Sequence, residues 1–172
     1  MTNRQSKRGP YEIRELCEEE ALLTALKMRN EARERARRSD DHLKRHDSAG
    51  AIQEAAESIE RSVKGMVALV LHEFPITHRL TGQHNIRCLK ELQSRLPGPD
   101  TYYLFKQCAR TLAWAHIWSP AREINQWAFD EVPITTAELF ELSEARVASD
   151  HARRCVSTLN QLIHQLETQG SE

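Results

Sequence analysis

The chain has 172 residues, of which 40% are hydrophobic and 28% charged, and its formal net charge is −1. That length and balance describe one globular domain with a core of its own, not a disordered segment, and near-neutrality gives no global attraction to a polyanion. The most apolar stretch, Val67 to Leu71, is far shorter than the roughly 18 residues that cross a bilayer, and the polar, basic lead Met1 to Pro10 lacks the apolar core of a signal peptide; a cytoplasmic protein without membrane contact is expected.

Taken in chain order, residues 1–10 read as a flexible basic lead, 11–168 as one helical bundle and 169–172 as a disordered tail. The first helix is expected from Glu12 to about Ser39, where no glycine or proline interrupts and Leu16, Ala21, Leu22, Ala25, Leu26 and Met28 form a helical stripe. Asp47-Ser48 offers a cap to a second helix. Its stripe of Ala51, Ile52, Ala55, Ala56, Ile59, Val63, Met66, Val67 and Val70 repeats every three or four residues. That helix should stop near His72, because Pro75 restricts the residue before it.

Pro75 to His84 reads as a loop, followed by a short helix from about Asn85 to Leu96. Pro97-Gly98-Pro99 breaks the chain, and Asp100 or Thr101 caps a helix running to about Trp118. Ser119-Pro120 predicts a restart that continues to about Phe129. Val132-Pro133 breaks the chain again, Thr135 to Glu138 resembles a capping box, and Ser143 caps a final helix to about Glu167. That helix carries Ala145, Ala148, Ala152, Cys155, Val156, Leu159, Leu162 and Ile163 on one stripe. No segment alternates as a strand does. The fold class is all-α, an antiparallel bundle of four to six helices.

The four cysteines, Cys17, Cys88, Cys108 and Cys155, have no paired spacing, so buried free thiols are expected over a disulfide or zinc set. Charge is uneven. Arg29, Arg33, Arg35, Arg37, Arg38, Lys44 and Arg45 crowd one stretch, whereas Glu123 to Glu144 contains no lysine or arginine. The basic stretch is either a solvated helix face or a surface that steers an acidic partner.

Two stretches carry a resemblance. Glu60 and Lys64 stand four apart on the second helix, and ten residues further on Pro75-Ile76-Thr77-His78-Arg79-Leu80 begins. Later come Ala121-Arg122-Glu123, Phe140, a cap at Ser143, and Ala145 and Ala152 seven apart. Both patterns resemble the HEPN domain family, over about Leu16 to Leu166. The resemblance implies a helical bundle tied to RNA cleavage and to toxin–antitoxin or defence systems. It also implies a homodimer whose active-site faces meet across the two-fold, and a small nucleotidyltransferase antitoxin as partner. Read from the residues themselves, Lys64 packs its stem while its amine reaches outward, Glu60 pairs with it one turn earlier, and Thr77 and His78 anchor a loop.

Active members of that family carry an arginine and a histidine separated by four to six residues. Such a pair suits metal-independent cleavage: the histidine serves as base for the 2′-hydroxyl and the arginine binds the phosphate oxygens. The pattern occurs five times here, at Arg35–His42, Arg37–His42, Arg79–His84, Arg110–His116 and Arg146–His151. Roughly two or three matches arise by chance in such a composition, so position decides. Arg110–His116 comes nearest to the family's site and is the candidate catalytic pair, on the expectation that one helix face carries both. Arg122 matches the family's arginine better by its neighbours, but Trp127, Ala128 and Phe129 stand where its histidine belongs. Without catalysis, His116 is a packed core residue between Ala115 and Ile117.

Other chemistry is sparse. His42 and His46 sit one turn apart without companions that would complete a metal site, and no phosphate-binding or dinucleotide motif appears, so neither metal nor cofactor is expected. Trp114, Trp118 and Trp127 are expected to pack the bundle or a dimer face. The leading function is a non-catalytic HEPN-like module that binds a partner protein or RNA; the alternative is a ribonuclease toxin using Arg110 and His116.

Overall fold

The computed structural model describes residues 13–76, 82–127 and 136–169, with side chains at 13–76, 83–121 and 138–169. A short strand β1 (Ile13–Glu15) leads into α1 (Glu18–Lys44), α2 (Ser48–Leu71) and a second strand β2 (Glu73–Pro75). Then come α3 (Gly82–Arg95), a single 3₁₀ turn at Pro99–Thr101, α4 (Tyr102–Trp127), the one-turn α5 (Thr136–Leu139) and α6 (Leu142–Gln169). The molecule is an all-α bundle, and no helix among the described residues is long and apolar enough to cross a membrane.

Local chemistry sets the boundaries. Glu18, Glu19 and Glu20 occupy the first turn of α1, where acids complement the positive end of the helix dipole, and Glu20 accepts from the Cys17 amide at 3.1 Å. Asp47 caps α2 by accepting from the Gly50 amide at 2.9 Å, as its position predicts. His72 closes α2 in the left-handed region, φ 52°. Its carbonyl then takes the Leu16 amide at 2.8 Å, beside the antiparallel pairing of Ile13 with Pro75 and Glu15 with Glu73.

α2 is the central helix. Every residue from Ser62 to Val70 is buried, so its apolar stripe widens to the whole circumference. Around it lie two large core regions of different texture, beside a small cluster of Leu16, Ala21 and Ala68. One holds large aliphatic side chains, among them Met66, Val67, Leu92, Leu112, Leu159 and Leu162. The other is built largely of alanine, with Ala32, Ala36, Ala51, Ala55, Ala145, Ala148 and Ala152 around Ile52 and Ile59. There α1 and α2 approach closely enough for Ser58 to donate to the Ala32 carbonyl at 2.7 Å and Ser39 to the Ala51 carbonyl at 2.8 Å. Gly65 sits where α2 meets both neighbours. A Cβ there would lie 2.8 Å from a Leu159 methyl and 3.0 Å from Met28 Cβ.

Several expectations change. The residues before Cys17 pair as a strand, so α1 starts six residues later than its stripe suggested, and it runs on to Lys44. Three-residue strands are too short to show alternation. α3 begins at Gly82, inside the expected loop. α4 passes through Pro120 without restarting at Ser119; proline there removes the amide that would bond the His116 carbonyl one turn back, and its ring crowds that carbonyl. Ser143 is the second residue of α6, not its cap; the Glu141 amide instead donates to the Glu144 carboxylate at 2.8 Å. Cys88, Cys108 and Cys155 are buried free thiols, but Cys17 is exposed. Residues 1–12 and 170–172, which include the expected lead and most of the tail, lie outside the described residues.

Candidate functional site

α4 carries the candidate pair. Its inward positions, Leu104, Cys108, Thr111 and Leu112, are buried, and this register turns Tyr102, Tyr103, Lys106, Arg110, Ala113, His116 and Ile117 outward. Arg110 and His116 are therefore both exposed, which corrects the reading of His116 as a core residue. They are six residues apart, and at 3.6 residues per turn that separates them by about 120° around the axis. They edge one broad outer face instead of standing side by side, as the one-face expectation required.

His116 is held from α3. The hairpin formed by α3 and α4 brings Asn85 beside it, and the Asn85 amide nitrogen bonds Nε2 of the ring. That bond engages one of the two ring nitrogens, so Nε2 is not free to take a proton from a substrate hydroxyl. Asn85 is itself buried, and its Oδ1 has no partner among the described residues. Asn85 carried no signal in the sequence, because its role comes only from the helix beside it.

The residues that carry the HEPN resemblance are only partly brought together. Lys64 Nζ meets Glu60 Oε1 at 2.9 Å, the expected pair, but the lysine is 2% exposed and its amine points into the protein, not outward. It lies 5.9 Å from the centre of the Phe74 ring. Lys64 sits within the run of α2 where every neighbour is buried, so its stem has no route to the surface. Pro75 ends the second strand. Thr77, His78 and Arg79 lie outside the described residues, as does the Arg122 side chain, although α4 includes its backbone.

The other arginine–histidine pairs have different occupations. His42 Nδ1 and Asp47 Oδ2 are 2.7 Å apart, closing the turn between α1 and α2. His151 on α6 lies flat on Trp114, with centroids 4.0 Å apart and planes 11° from parallel, and its Nδ1 accepts from Trp118 Nε1 at 3.1 Å. Burial, with a smaller push from Arg154, holds its pKa below the usual histidine value against the pull of Asp150. Trp114 and Trp118 thus pack the bundle.

The basic stretch is largely neutralised within the fold. Arg35 reaches Glu54 at 3.0 Å and Glu57 at 3.2 Å; Arg37 reaches Glu34 at 2.9 Å and Asp41 at 3.1 Å; Arg38 and Lys44 use the same two acids. The hydrogen bonds from Arg37 and Arg38 bring the Glu34 pKa down to about 2, so this acid stays ionised at any physiological pH. No group of three His, Cys, Asp or Glu side chains fit for a metal occurs among the described residues. Desolvation pushes the Cys88, Cys108 and Cys155 thiols up to about 12, which removes them as nucleophiles.

In comparisons with known proteins, no family model, no curated protein and no solved structure matches this chain.

Proposed function

We propose that this chain is a HEPN-like helical module of a toxin–antitoxin or defence system that works by docking a partner protein instead of cutting RNA. The observation that carries the reading is the pair itself: Arg110 and His116 diverge on α4, and Asn85 occupies Nε2 of His116. The pairing of the α1 arginines with Glu34, Asp41, Glu54 and Glu57 supports it, because those cations are already matched within the chain. By the same resemblance the module is a homodimer, and a nucleotidyltransferase antitoxin is the partner to try first.

One feature favours the second reading, RNA binding with cleavage. The outward face of α4 contains no acid from Tyr102 to Ala121. It presents Lys106 and Arg110 beside Tyr102 and Tyr103, which are 57% and 64% exposed. Exposed cations among aromatic rings suit single-stranded nucleic acid.

Incubation of the full chain with end-labelled single-stranded RNA in the presence of a chelator tests the proposal. The expected result is no cleavage above that of His116→Ala. Cleavage by the wild type that is lost in both His116→Ala and Arg110→Ala, with helical content unchanged, would overturn it in favour of the ribonuclease.

A further inference from the structure

Helices α1, α2, α3 and α6 meet around an open groove of about 1000 Å³. Its apolar lining comes from Ala21 and Leu22 of α1, Leu69 of α2, and Ile163 and Leu166 of α6. The charges beside it are mostly of one sign: Glu18 and Glu19 from the first turn of α1, and Glu167 from the end of α6.

The backbone adds to that sign. α2 and α6 both bring their C-terminal ends to the groove, and neither has a basic residue in its last turn, so the helix dipoles add negative potential there, offset at α2 by Arg95 from α3. α1 brings a positive end, but three acids stand in its first turn. Arg95 also lines the groove, and its guanidinium is occupied by Glu91 at 2.9 Å and the Leu69 carbonyl at 3.5 Å.

We infer that this groove is the docking site for a basic amphipathic helix of a partner protein, with apolar residues on the floor and lysine or arginine over Glu18, Glu19 and Glu167. This deepens the docking reading above and rests on it. An open apolar channel between helices takes a helical ligand through anchors on one face. The acid rim selects cationic flanks and repels nucleic acid and anionic membrane surfaces.

The probe is a fluorescein-labelled peptide of about 14 residues, some four helical turns, made only of leucine and lysine in amphipathic order. Its counterpart has glutamate in place of lysine. Fluorescence anisotropy against the full chain should show binding of the lysine peptide and not of the glutamate peptide. Binding should weaken by about tenfold in Glu18→Lys/Glu19→Lys and in Glu167→Lys. The second variant places a cation at a helix C-terminus, where it supports the helix, and an unchanged melting temperature separates loss of binding there from loss of the fold. Glu34→Lys, sixteen residues along α1 from Glu18, should bind as the wild type does. Three results would overturn the inference: no binding of the lysine peptide, equal loss in Glu34→Lys, or a self-associated chain that dissociates in the rim variants, which would make a second copy the occupant. RNA cleavage in the earlier assay would overturn the docking reading instead, so the two failures are distinguishable.

Discussion

The two core regions use the same three helices in opposite ways. In the aliphatic region α1, α2 and α6 are held apart by leucine, methionine and valine, and stability comes from apolar volume withdrawn from water. In the alanine region the side chains are too small to hold the helices apart; serine hydroxyls reach neighbouring carbonyls and arginines reach neighbouring carboxylates. One region is thus vulnerable to deletion and the other to insertion.

The largest test of that contrast lies in the aliphatic region. Leu162 is fully buried among large neighbours, so Leu162→Ala should destabilise the chain by about 2–5 kcal/mol in urea unfolding, from lost transfer energy and the cavity left behind. A loss near zero would mean the region is loosely packed. Ala55 is fully buried in the alanine region. Ala55→Leu adds apolar surface yet should destabilise by about 1–3 kcal/mol, because the added carbons must push α2 off its neighbours. A gain in stability would show that the helices there are not in close contact.

The smallest effect concerns His151, where α4 meets α6 beside the alanine region. The folded pKa is depressed, so the neutral ring is the form the fold favours. Its contribution is complete above the unfolded value of 6.5 and is lost as the pH falls through the folded value. Protonation also removes the acceptor for Trp118. Tryptophan emission and melting temperature should therefore change between neutral pH and the onset of carboxylate titration, and His151→Gln should remove that step. A wild type flat across this range would show that the ring stays accessible to protons in the fold.

The sequence makes the helices legible to different degrees. The stripes on α2 and α6 and the cap at Asp47 are visible because burial on one face imposes a period and a helix start needs an acceptor. The paired strands are invisible, since their register depends on residues about sixty positions apart, Ile13 with Pro75. Ser119-Pro120 misleads because a helix start and a tolerated interior proline look alike until the neighbours are known. The candidate site is less legible still. Spacing alone cannot say that Arg110 and His116 diverge around α4, that Asn85 comes from α3 to His116, or that Lys64 turns its amine inward. The groove rim is assembled from both ends of the chain, from Glu18 to Glu167, and no local pattern joins them.

α6 contributes to both core regions, with Ala145, Ala148 and Ala152 in one and Leu159, Leu162 and Ile163 in the other. It is also the last described helix to leave the ribosome. Until it does, α1 and α2 can form their hairpin through contacts close in sequence, the quick kind to make. α3 and α4 then cover part of α2, but the flank on which α6 packs against α1 and α2 stays uncovered. Folding of these helices is therefore completed by α6, which closes both regions at once, and a ribosome stalled before Ala145 would hold the earlier helices in search of an amphipathic partner.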